Sequence, residues 1–513
     1  MKKNLLFFIY LTFSGFNFCI GQITFQKTFD SFIYDAAYSV CQTTDSGYII
    51  AGNTGLFGNS SINGDAFLAK MDMYGDTLWT KTYGDTLNAC FNSVDQTVDG
   101  GYIAVGNVGI SGHTSYLVRT DATGDTLWTR AYSGNFNYVQ QTSDGGFAIA
   151  ARDNAGFGIM KMNSIGNIEW TSSYNQPSHA ANALQQTNDG GYIVVGSGFF
   201  GGFASHIVLG KFDNAGILEW LNYYGNVNGQ EGGFSVVETN DGSFVVAGGS
   251  RDSSTSDDEL LILKTDAMGN LLWSNAYEGG FSETGHSIHE TGDGGFIVCG
   301  NSSAMNYYKS FLIKTDSGGT VLWTKTNSLR AAALATSTTY DGGYVISGSM
   351  EDSAGSNTSD FYIEKTDSLG NSGCNQSIAP YIIRALVFTT WSGVLLTIPY
   401  NDTTSVATGT HVNSGCVLTN LCADVSIEKP VRSISDFTGY FANNLSISFS
   451  SLRSADLLLT VTDITGRTLF QNQLTASSGI NKKEMKVGDL AVGIYIVTLI
   501  GEEGRESVKI SKE

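Results

Sequence analysis

The feature that most constrains the fold of this chain is a sequence unit of about fifty residues that occurs seven times. Each unit contains a short strand pattern, an Asp-Gly turn, a second strand pattern such as "YIAVG", a third strand pattern and a second turn of the form Asp/Asn-x-x-Gly. Four short strands cannot bury both faces of their sheet alone, so successive units must pack against one another. The period predicts an all-β fold, a seven-bladed β-propeller. The aspartates of the first turn are Asp45, Asp99, Asp144, Asp189, Asp241, Asp293 and Asp341.

The first turn has a clear stereochemical basis. Glycine after the aspartate accepts a positive φ without steric cost, and Asp-Gly between alternating apolar residues is typical of a β-hairpin. Ser46 and Ser243 each replace one of the two glycines that most units carry. We therefore expect the turn type to differ in these two units.

A fragment near the beginning of the chain completes the predicted ring. The stretch "ITFQKTF", residues 23–29, matches the fourth strand of a unit, with Phe25 in the place of Trp79 and Lys27 in the place of Lys81. The seventh unit lacks this strand, because Cys374 stands where six units have tryptophan. Pairing of the two chain regions would remove the open sheet edges. We predict a propeller over residues 22–373, closed by its N-terminal strand.

Two further series of residues recur with the unit. A binding stripe and a stacking platform for sugars are possible interpretations, but features present in every unit are more typical of scaffold. We therefore expect the basic side chains to pack their aliphatic stems and meet a carbonyl or carboxylate, and the tryptophans to pack between blades. The basic residues are Lys70, Arg119, Lys161, Lys211, Lys264, Lys314 and Lys365, and the tryptophans are Trp79, Trp128, Trp170, Trp220, Trp273 and Trp323.

Composition and charge limit the classes of partner. Only 15% of the residues are charged and the formal net charge is −20, which disfavours nucleic acid and anionic membrane surfaces. Lys2, Lys3 and the apolar run that follows are typical of a secretory signal peptide, which we place at residues 1–21. The apolar stretch at residues 490–500 is too short for a membrane helix, so we expect no transmembrane segment in the mature chain.

The repeat ends at residue 373. Residues 374–424 contain apolar runs such as "YIIRALVF", which predict a β-rich connecting segment. We interpret it as an extra hairpin layer on the ring. Export permits disulfides, and Cys374 and Cys422 are a candidate pair, although connectivity does not follow from spacing.

The last part of the chain, residues 425–513, has a different pattern. Strand patterns such as "LLLTVTD" and "GIYIVTLI" alternate with turns and predict a small immunoglobulin-like β-sandwich. The segment resembles the type A C-terminal sorting domain of the type IX secretion system. That resemblance implies the type IX machinery as a partner, passage from the periplasm through the outer membrane, and release or surface attachment. The residues that carry it are Asp463, Gly466, Arg467, Gly493 and Tyr495.

The repeats themselves resemble the glycine-rich propeller repeats of secreted Bacteroidetes proteins. The shared patterns are "DGGYIVVG" and the Trp-x-Lys-Thr-Tyr type of fourth strand. This resemblance implies a fold and a secreted context, and it implies little about activity.

Candidate binding residues lie in the variable loops, which share one face of the predicted ring. Variable loops on a rigid scaffold are where binding usually occurs. Sugar stacking on the aromatic residues and Ca²⁺ coordination by the acids are the specific hypotheses, and solvated loop residues are the plainer interpretation. The candidates are Phe199, Phe200, Phe203, Tyr307, Tyr308, Asp257 and Asp258.

No catalytic sequence motif is present, and no cofactor is expected apart from Ca²⁺. The leading hypothesis is a monomeric, non-enzymatic binding or adhesion protein for a glycan, matrix or protein ligand. One alternative is a propeller glycoside hydrolase or polysaccharide lyase, with acids assembled from separate blades. Another is a structural surface-layer component. The first suspects for catalysis are Glu231, Asp257, Glu283 and His286.

Overall fold

A computed structural model gives the fold of the chain. Within the residues it describes, every regular element is a β-strand, and no helix is long and apolar enough to cross a membrane. The predicted signal peptide, residues 1–21, lies outside the described part. The structure describes residues 22–30, 35–55, 64–84, 89–108, 114–153, 156–175, 179–199, 204–226, 229–251, 257–304, 307–351, 358–378, 380–392, 410–412, 417–420, 434–441, 444–451, 454–463, 468–487, 490–491, 493–501 and 504–512.

The repeats form seven antiparallel sheets in the described residues, which are consistent with propeller blades. We call them repeat sheets 1 to 7; sheets 1 to 6 take four consecutive strands each from β2 to β25, and sheet 7 combines β26, β27, β28 and β1. The strands are β1 (Phe25–Asp30), β2 (Ala36–Gln42), β3 (Tyr48–Thr54), β4 (Asp65–Met71), β5 (Thr77–Gly84), β6 (Ala89–Gln96), β7 (Tyr102–Val108), β8 (Thr114–Thr120), β9 (Thr126–Ser133), β10 (Asn135–Gln141), β11 (Phe147–Asp153), β12 (Gly156–Met162), β13 (Ile168–Asn175), β14 (Ala180–Gln186), β15 (Tyr192–Phe199), β16 (Ser205–Phe212), β17 (Leu218–Gly225), β18 (Gln230–Glu238), β19 (Phe244–Arg251), β20 (Glu259–Thr265), β21 (Leu271–Glu278), β22 (Ser282–Glu290), β23 (Phe296–Ala304), β24 (Tyr307–Thr315), β25 (Val321–Asn327), β26 (Ala331–Thr338), β27 (Tyr344–Glu351) and β28 (Ser359–Thr366).

The N-terminal strand completes the last repeat sheet. β1 pairs antiparallel with β28, and Phe25 lies opposite Lys365 in the register. The prediction that the orphan fragment supplies the missing fourth strand is confirmed by this pairing. Lys27 also reaches into repeat sheet 1, where its Nζ lies 2.9 Å from an Asp76 carboxylate oxygen. The equivalent Lys81 makes the same kind of contact with Asp125 of the next sheet.

Neighbouring repeat sheets are joined by apolar clusters. Each cluster combines two consecutive sheets, and one of them joins sheet 7 to sheet 1. Every recurring tryptophan contacts the aromatic residue that opens the second strand of the next sheet, with ring centroids 5.7–6.4 Å apart. Phe25 makes the equivalent contact with Tyr48, at 6.0 Å, where the ring closes. The tryptophans therefore pack between sheets, as the sequence indicated.

The recurring basic residues are part of the scaffold. Each one pairs with the turn aspartate of its own unit, with nitrogen–oxygen distances of 2.6–2.9 Å. In repeat sheet 1, Lys70 Nζ also donates to the carbonyl of Met71. The expectation of different turn types is wrong. Ser46 adopts φ 66°, close to the 77–85° of the glycines at the same position, and the turn around Ser243 keeps the same backbone hydrogen bonds.

The connecting segment does not form the hairpin layer that we expected. Its described strands pair singly, each with the outer strand of a different repeat sheet, in the order 6, 5, 4, 1 and 7 along the chain. Unpaired sheet edges accept such added strands readily, because their N–H and C=O groups lack partners. The segment therefore follows the outside of the ring, and we call it the belt. Its strands are β29 (Gln376–Ser377), β30 (Ile382–Ala385), β31 (Thr389–Ser392), β32 (Thr410–Val412) and β33 (Val417–Asn420).

Cys374, at the start of the belt, is disulfide-bonded, and its sulfur lies 3.5 Å from the side-chain oxygen of Gln26 on β1. The other end of the belt, β33, also pairs with β1, with Asn420 opposite Lys27. Cys422 lies outside the described residues, so its pairing with Cys374 stays a prediction.

Contacts divide the chain into two compact units, Met1–Ala423 and Asp424–Glu513. In the described residues of the second unit, a sheet of β34, β35 and β38 and a sheet of β37, β36, β39 and β40 surround one apolar core. The strands are β34 (Ile434–Phe441), β35 (Leu445–Ser451), β36 (Ala455–Asp463), β37 (Thr468–Ala476), β38 (Gly479–Met485), β39 (Gly493–Gly501) and β40 (Gly504–Lys512).

The residues that suggested a sorting domain fall at the ends of two paired strands. Asp463 ends β36 and lies opposite Tyr495 of β39. Tyr495 is buried, and its hydroxyl donates to the carbonyl of Ala491 at 2.5 Å. Gly466 and Arg467 lie outside the described residues. Gly493 does not have a positive φ, and a Cβ there would meet only ordinary van der Waals contacts, so the structure gives it no backbone requirement for glycine.

Candidate functional site

A cavity of about 360 Å³ is lined by the first strands of all seven repeat sheets. These strands are edge strands of their sheets, and four consecutive residues of each contribute to the cavity wall. We call it the axial cavity. Its volume is in the range of pockets that bury small ligands.

A β-bulge at the same place in every first strand directs one side chain at this wall. In each case the pairing with the second strand skips one residue. A β-bulge changes the direction of the side chain of such an unpaired residue. Because this residue precedes the first turn by seven positions in every unit, it lies toward the variable-loop end of its strand. We call the set the bulge ring. Its members are Tyr38, Asn92, Asn137, Asn182, Phe234, His286 and Leu334.

The three asparagines of the bulge ring occupy consecutive sheets. Each donates its Nδ2 to a backbone carbonyl of the following sheet, at 2.7–3.0 Å. These bonds fix the amide groups. Asn92 Oδ1 faces the weak S–H donor of Cys90 at 3.7 Å. For Asn137 and Asn182, the described residues supply no donor to Oδ1, so these oxygens can accept from a ligand.

One layer deeper, Asp95, Gln140 and Gln185 repeat a second arrangement. The side-chain oxygen of each accepts a backbone N–H of the following sheet, at 2.7–2.8 Å. The Nε2 groups of Gln140 and Gln185 find no acceptor among the described residues. Together with the three asparagines, these residues form a wall of amides and one carboxylate on repeat sheets 2, 3 and 4. We call it the polar wall.

On the opposite side of the axial cavity, the members of the bulge ring are aromatic or apolar. Phe234, His286, Leu334 and Tyr38 come from repeat sheets 5, 6, 7 and 1. The rings of Phe234 and His286 lie 5.7 Å apart, and His286 Nε2 lies 3.1 Å from the Asn301 amide nitrogen. Burial lowers the pKa of His286 to about 4, so the ring is neutral at pH 7. We call this side the aromatic wall.

The electrostatics of the axial cavity depend on Asp95, the one acid among the described lining residues. Burial raises the pKa of its carboxyl to about 6, while the backbone N–H groups of Gln141 and Gln96 act in the opposite direction. At neutral pH the carboxylate is therefore mostly ionised. The cavity has a net negative character.

The loop residues predicted from the sequence are spread over separate sheets. Phe199 ends β15 and is 47% exposed, and Tyr308 of β24 is 53% exposed. Tyr307 opens β24, while Phe200 and Phe203 lie outside the described residues. These positions are not brought together in one cluster by the described part of the chain.

The two candidate acids, Asp257 and Asp258, interact with neighbouring side chains. The carboxylate of Asp258 pairs with Arg251 at 2.8 Å and accepts from Ser282 Oγ at 3.3 Å. Asp257 contributes to the electrostatic environment of Glu283. Within the described residues, no group of three or more His, Cys, Asp or Glu side chains could hold a metal ion.

Two of the residues suspected of catalysis, Glu231 and Glu283, form hydrogen bonds with neighbouring loops. Glu231 is buried, accepts from the backbone N–H of Asn226 at 3.2 Å and lies 3.3 Å from His206 Nδ1. Glu283 is buried and accepts from Ser302 Oγ and from the backbone N–H of Phe281. Burial raises the pKa of Glu283. Of the four suspects, only His286 lines the axial cavity.

Neither the bulge ring nor the polar wall was predicted from the sequence. An alignment of the units on the turn aspartate places Asn92, Asn137 and Asn182 at one position, which was a usable pattern. The bulge that turns this position toward the cavity is not marked by one residue type in the sequence, since tyrosine, phenylalanine, histidine and leucine occupy the position in the other units. The site therefore needed the three-dimensional structure.

Residues 441–513 match the family model of the secretion system C-terminal sorting domain. No curated protein matches the chain at a significant level. A solved protein of unknown function from Dyadobacter fermentans is 12% identical, with a TM-score of 0.39, over 66% of this chain and 98% of its own. One from Bacteroides caccae is 14% identical, with a TM-score of 0.36, over 53% of this chain and 92% of its own.

PorZ of Porphyromonas gingivalis is also similar in structure. Described as a bacterial surface component of the type IX secretion system, it is 10% identical, with a TM-score of 0.34, over 91% of this chain and 69% of its own. Similarity at this level assigns no function, since one fold serves many functions. The match at residues 441–513 identifies a C-terminal type IX sorting domain, which indicates secretion of the chain to the cell surface or outside the cell.

Proposed function

We propose that this chain is a secreted or surface-held binding protein, built on a seven-bladed β-propeller, whose ligand enters the axial cavity. The seven repeat sheets would be the blades, and the second unit would be an immunoglobulin-like sandwich. The proposed domains are a signal peptide at 1–21, the propeller at 22–373, the belt segment at 374–424 and the sorting domain at 425–513.

The observation that carries this proposal is the axial cavity, where seven strands direct side chains of different chemistry at one space. Scaffold positions in this chain recur with the same residue type in nearly every unit, as the turn aspartates do. The bulge ring instead carries five residue types, with asparagine on three sheets and tyrosine, phenylalanine, histidine and leucine on the other four. Variation on a fixed frame is what a binding surface requires.

Binding is favoured over catalysis by the state of the suspected acids. Glu231 and Glu283 accept backbone N–H bonds that hold neighbouring loops, so their carboxylates already have structural partners. Catalytic carboxylate pairs face a shared substrate position from a few ångströms apart. The exposed Phe199 and Tyr308 would add contacts to a larger ligand at the variable-loop face.

The test uses the full mature chain, with a variant that fills the axial cavity. Ser337 lines the cavity on repeat sheet 7, and its hydroxyl makes only a 3.3 Å bond to the Thr338 carbonyl. Ser337→Trp should abolish binding to whichever glycan, matrix or protein ligand a screening panel identifies. Val98, 91% exposed on a first turn, supplies the control. Val98→Trp should bind normally.

Equal binding by wild type, Ser337→Trp and Val98→Trp would place the ligand outside the axial cavity. Turnover of a polysaccharide by the wild type, lost in Ser337→Trp, would replace a binding function with an enzymatic one. Both measurements need the melting temperatures of the three proteins, so that unfolding is not mistaken for lost binding.

A further inference from the structure

We infer that the ligand of the axial cavity is a single neutral sugar ring, free or at the end of a glycan, held between the polar wall and the aromatic wall. This inference rests on the proposed function, because it names the ligand class of the same cavity.

The polar wall matches the hydroxyl groups of a sugar. A hydroxyl both donates and accepts, so it needs donors and acceptors side by side. The Oδ1 atoms of Asn137 and Asn182 supply acceptors, and the Nε2 groups of Gln140 and Gln185 supply donors. All four side chains are already held by hydrogen bonds to the following sheet. Little conformational entropy is therefore lost when they bind, and this lowers the cost of association.

The aromatic wall matches the other face of the same ring. The C–H groups of a pyranose form an apolar patch that can pack against an aromatic side chain, while its hydroxyls point to the rim. Phe234 and Tyr38 offer such surfaces, and neither is fully buried by the protein. Desolvation of this patch contributes to affinity, and the polar wall sets the orientation.

Size and charge narrow the ligand class. A cavity of about 360 Å³ is at the small end of known ligand pockets, which suits one ring better than an oligosaccharide. The carboxylate of Asp95 would repel an acidic sugar at this short range. The described lining residues include no lysine or arginine that could pair with the carboxylate of an acidic sugar. A neutral hexose or N-acetylhexosamine is therefore the expected class.

The experiment measures binding of neutral monosaccharides to the full mature chain. Saturation-transfer NMR with glucose, galactose, mannose, fucose and N-acetylglucosamine identifies the best probe, and calorimetry then gives its affinity. Glucuronic acid serves as the acidic probe. We expect at least one neutral sugar to bind and glucuronic acid to bind at least about tenfold more weakly.

Two substitutions test the walls separately. Gln140→Glu keeps the oxygen that accepts the Gln186 N–H but removes the Nε2 donor, and it should weaken neutral-sugar binding about fivefold or more. Phe234→Leu should have an effect of similar size through the aromatic wall. The matched control is Gln141→Glu. It makes the same chemical change on the same strand, but Gln141 does not line the cavity and Glu238 occupies its equivalent position in repeat sheet 5.

Each outcome separates the two proposals. Sugar binding that falls in Gln140→Glu and Phe234→Leu but not in Gln141→Glu supports the inference. A non-saccharide ligand that is lost in Ser337→Trp overturns the inference and leaves the proposed function standing. Sugar binding that is unaffected by Ser337→Trp, Gln140→Glu and Phe234→Leu overturns both the inference and the proposed function. Binding of none of the five neutral sugars at millimolar concentration overturns the inference.

Discussion

At the scale of single residues, the first strands carry several sets of hydrogen bonds between neighbouring repeat sheets. Residues of the polar wall make two of these sets. In six of the seven units, another set joins the residue three positions before the turn aspartate to the backbone N–H just before the turn in the preceding sheet, at 2.7–3.0 Å. Tyr340 N and Gln42 make this bond where sheet 7 meets sheet 1. Glutamine or glutamate accepts in all six cases.

The seventh position of this set is occupied by Thr338, whose short side chain makes no equivalent bond with Gly292 N in the described residues. Thr338→Gln should supply the missing acceptor and raise the free energy of unfolding by about 1 kcal/mol. The reciprocal change, Gln42→Thr, should lower it by a similar amount. Chemical denaturation measures both. Destabilisation by Thr338→Gln would mean that the site between sheets 6 and 7 cannot hold the longer side chain.

At the scale of elements, ring closure depends on β1, a strand separated by more than three hundred residues from its partner β28. Phe25 is 6% exposed and contacts Tyr48 of repeat sheet 1. Phe29 contacts Phe361 across the β1–β28 pair. Because β1 lies between two sheets, its apolar side chains stabilise both the sheet and the closure.

Phe25→Ala should therefore lower the free energy of unfolding by about 3–5 kcal/mol, the cost of removing a buried phenylalanine. Leu78 of β5 is 57% exposed, and Leu78→Ala is the matched control, with an expected change within about 0.5 kcal/mol. Urea denaturation followed by tryptophan fluorescence gives both values. A loss below about 1 kcal/mol for Phe25→Ala would show that β1 does not hold the ring closed.

The sequence was sufficient for the elements of the repeats, because the period, the turn aspartates and the missing tryptophan of the last unit are all local patterns. It was not sufficient for the belt. Strands such as β29 and β30 are two and four residues long, and their partners are sheet edges far away in the chain. The sequence of a short apolar strand does not specify which sheet edge it will pair with. The bulge ring escaped prediction for a similar reason, since a bulge is a property of pairing rather than of composition.

At the scale of the whole molecule, the described strands of the belt add one strand to each of five repeat sheets, 6, 5, 4, 1 and 7. Leu386 and Phe388 pack into the apolar cluster between sheets 4 and 5, and Leu386 N donates to the Ser274 carbonyl. The start and the end of the belt both reach β1. We propose that a disulfide between Cys374 and Cys422 closes the belt, which would make opening of the ring more difficult.

This proposal predicts a single linked peptide pair. Mass spectrometry of the unreduced protein should recover Cys374 joined to Cys422, and Cys374→Ser should lower the free energy of unfolding by about 2–4 kcal/mol. Cys422→Ser should have the same effect, and the double variant should cost no more than either one. Cys90 carries a free thiol, so Cys90→Ser is the control. Recovery of Cys374 joined to another cysteine would refute the proposed closure.

The central claim is that a ligand binds at the axis of the ring. The most direct measurement is a crystal structure of the mature chain soaked with the neutral monosaccharide that binds best in solution. We predict one sugar in the axial cavity, with its hydroxyls about 3 Å from Gln140 Nε2 and Asn137 Oδ1 and its apolar face against Phe234. A sugar found only at the variable loops, with the axial cavity holding water alone, would contradict this account.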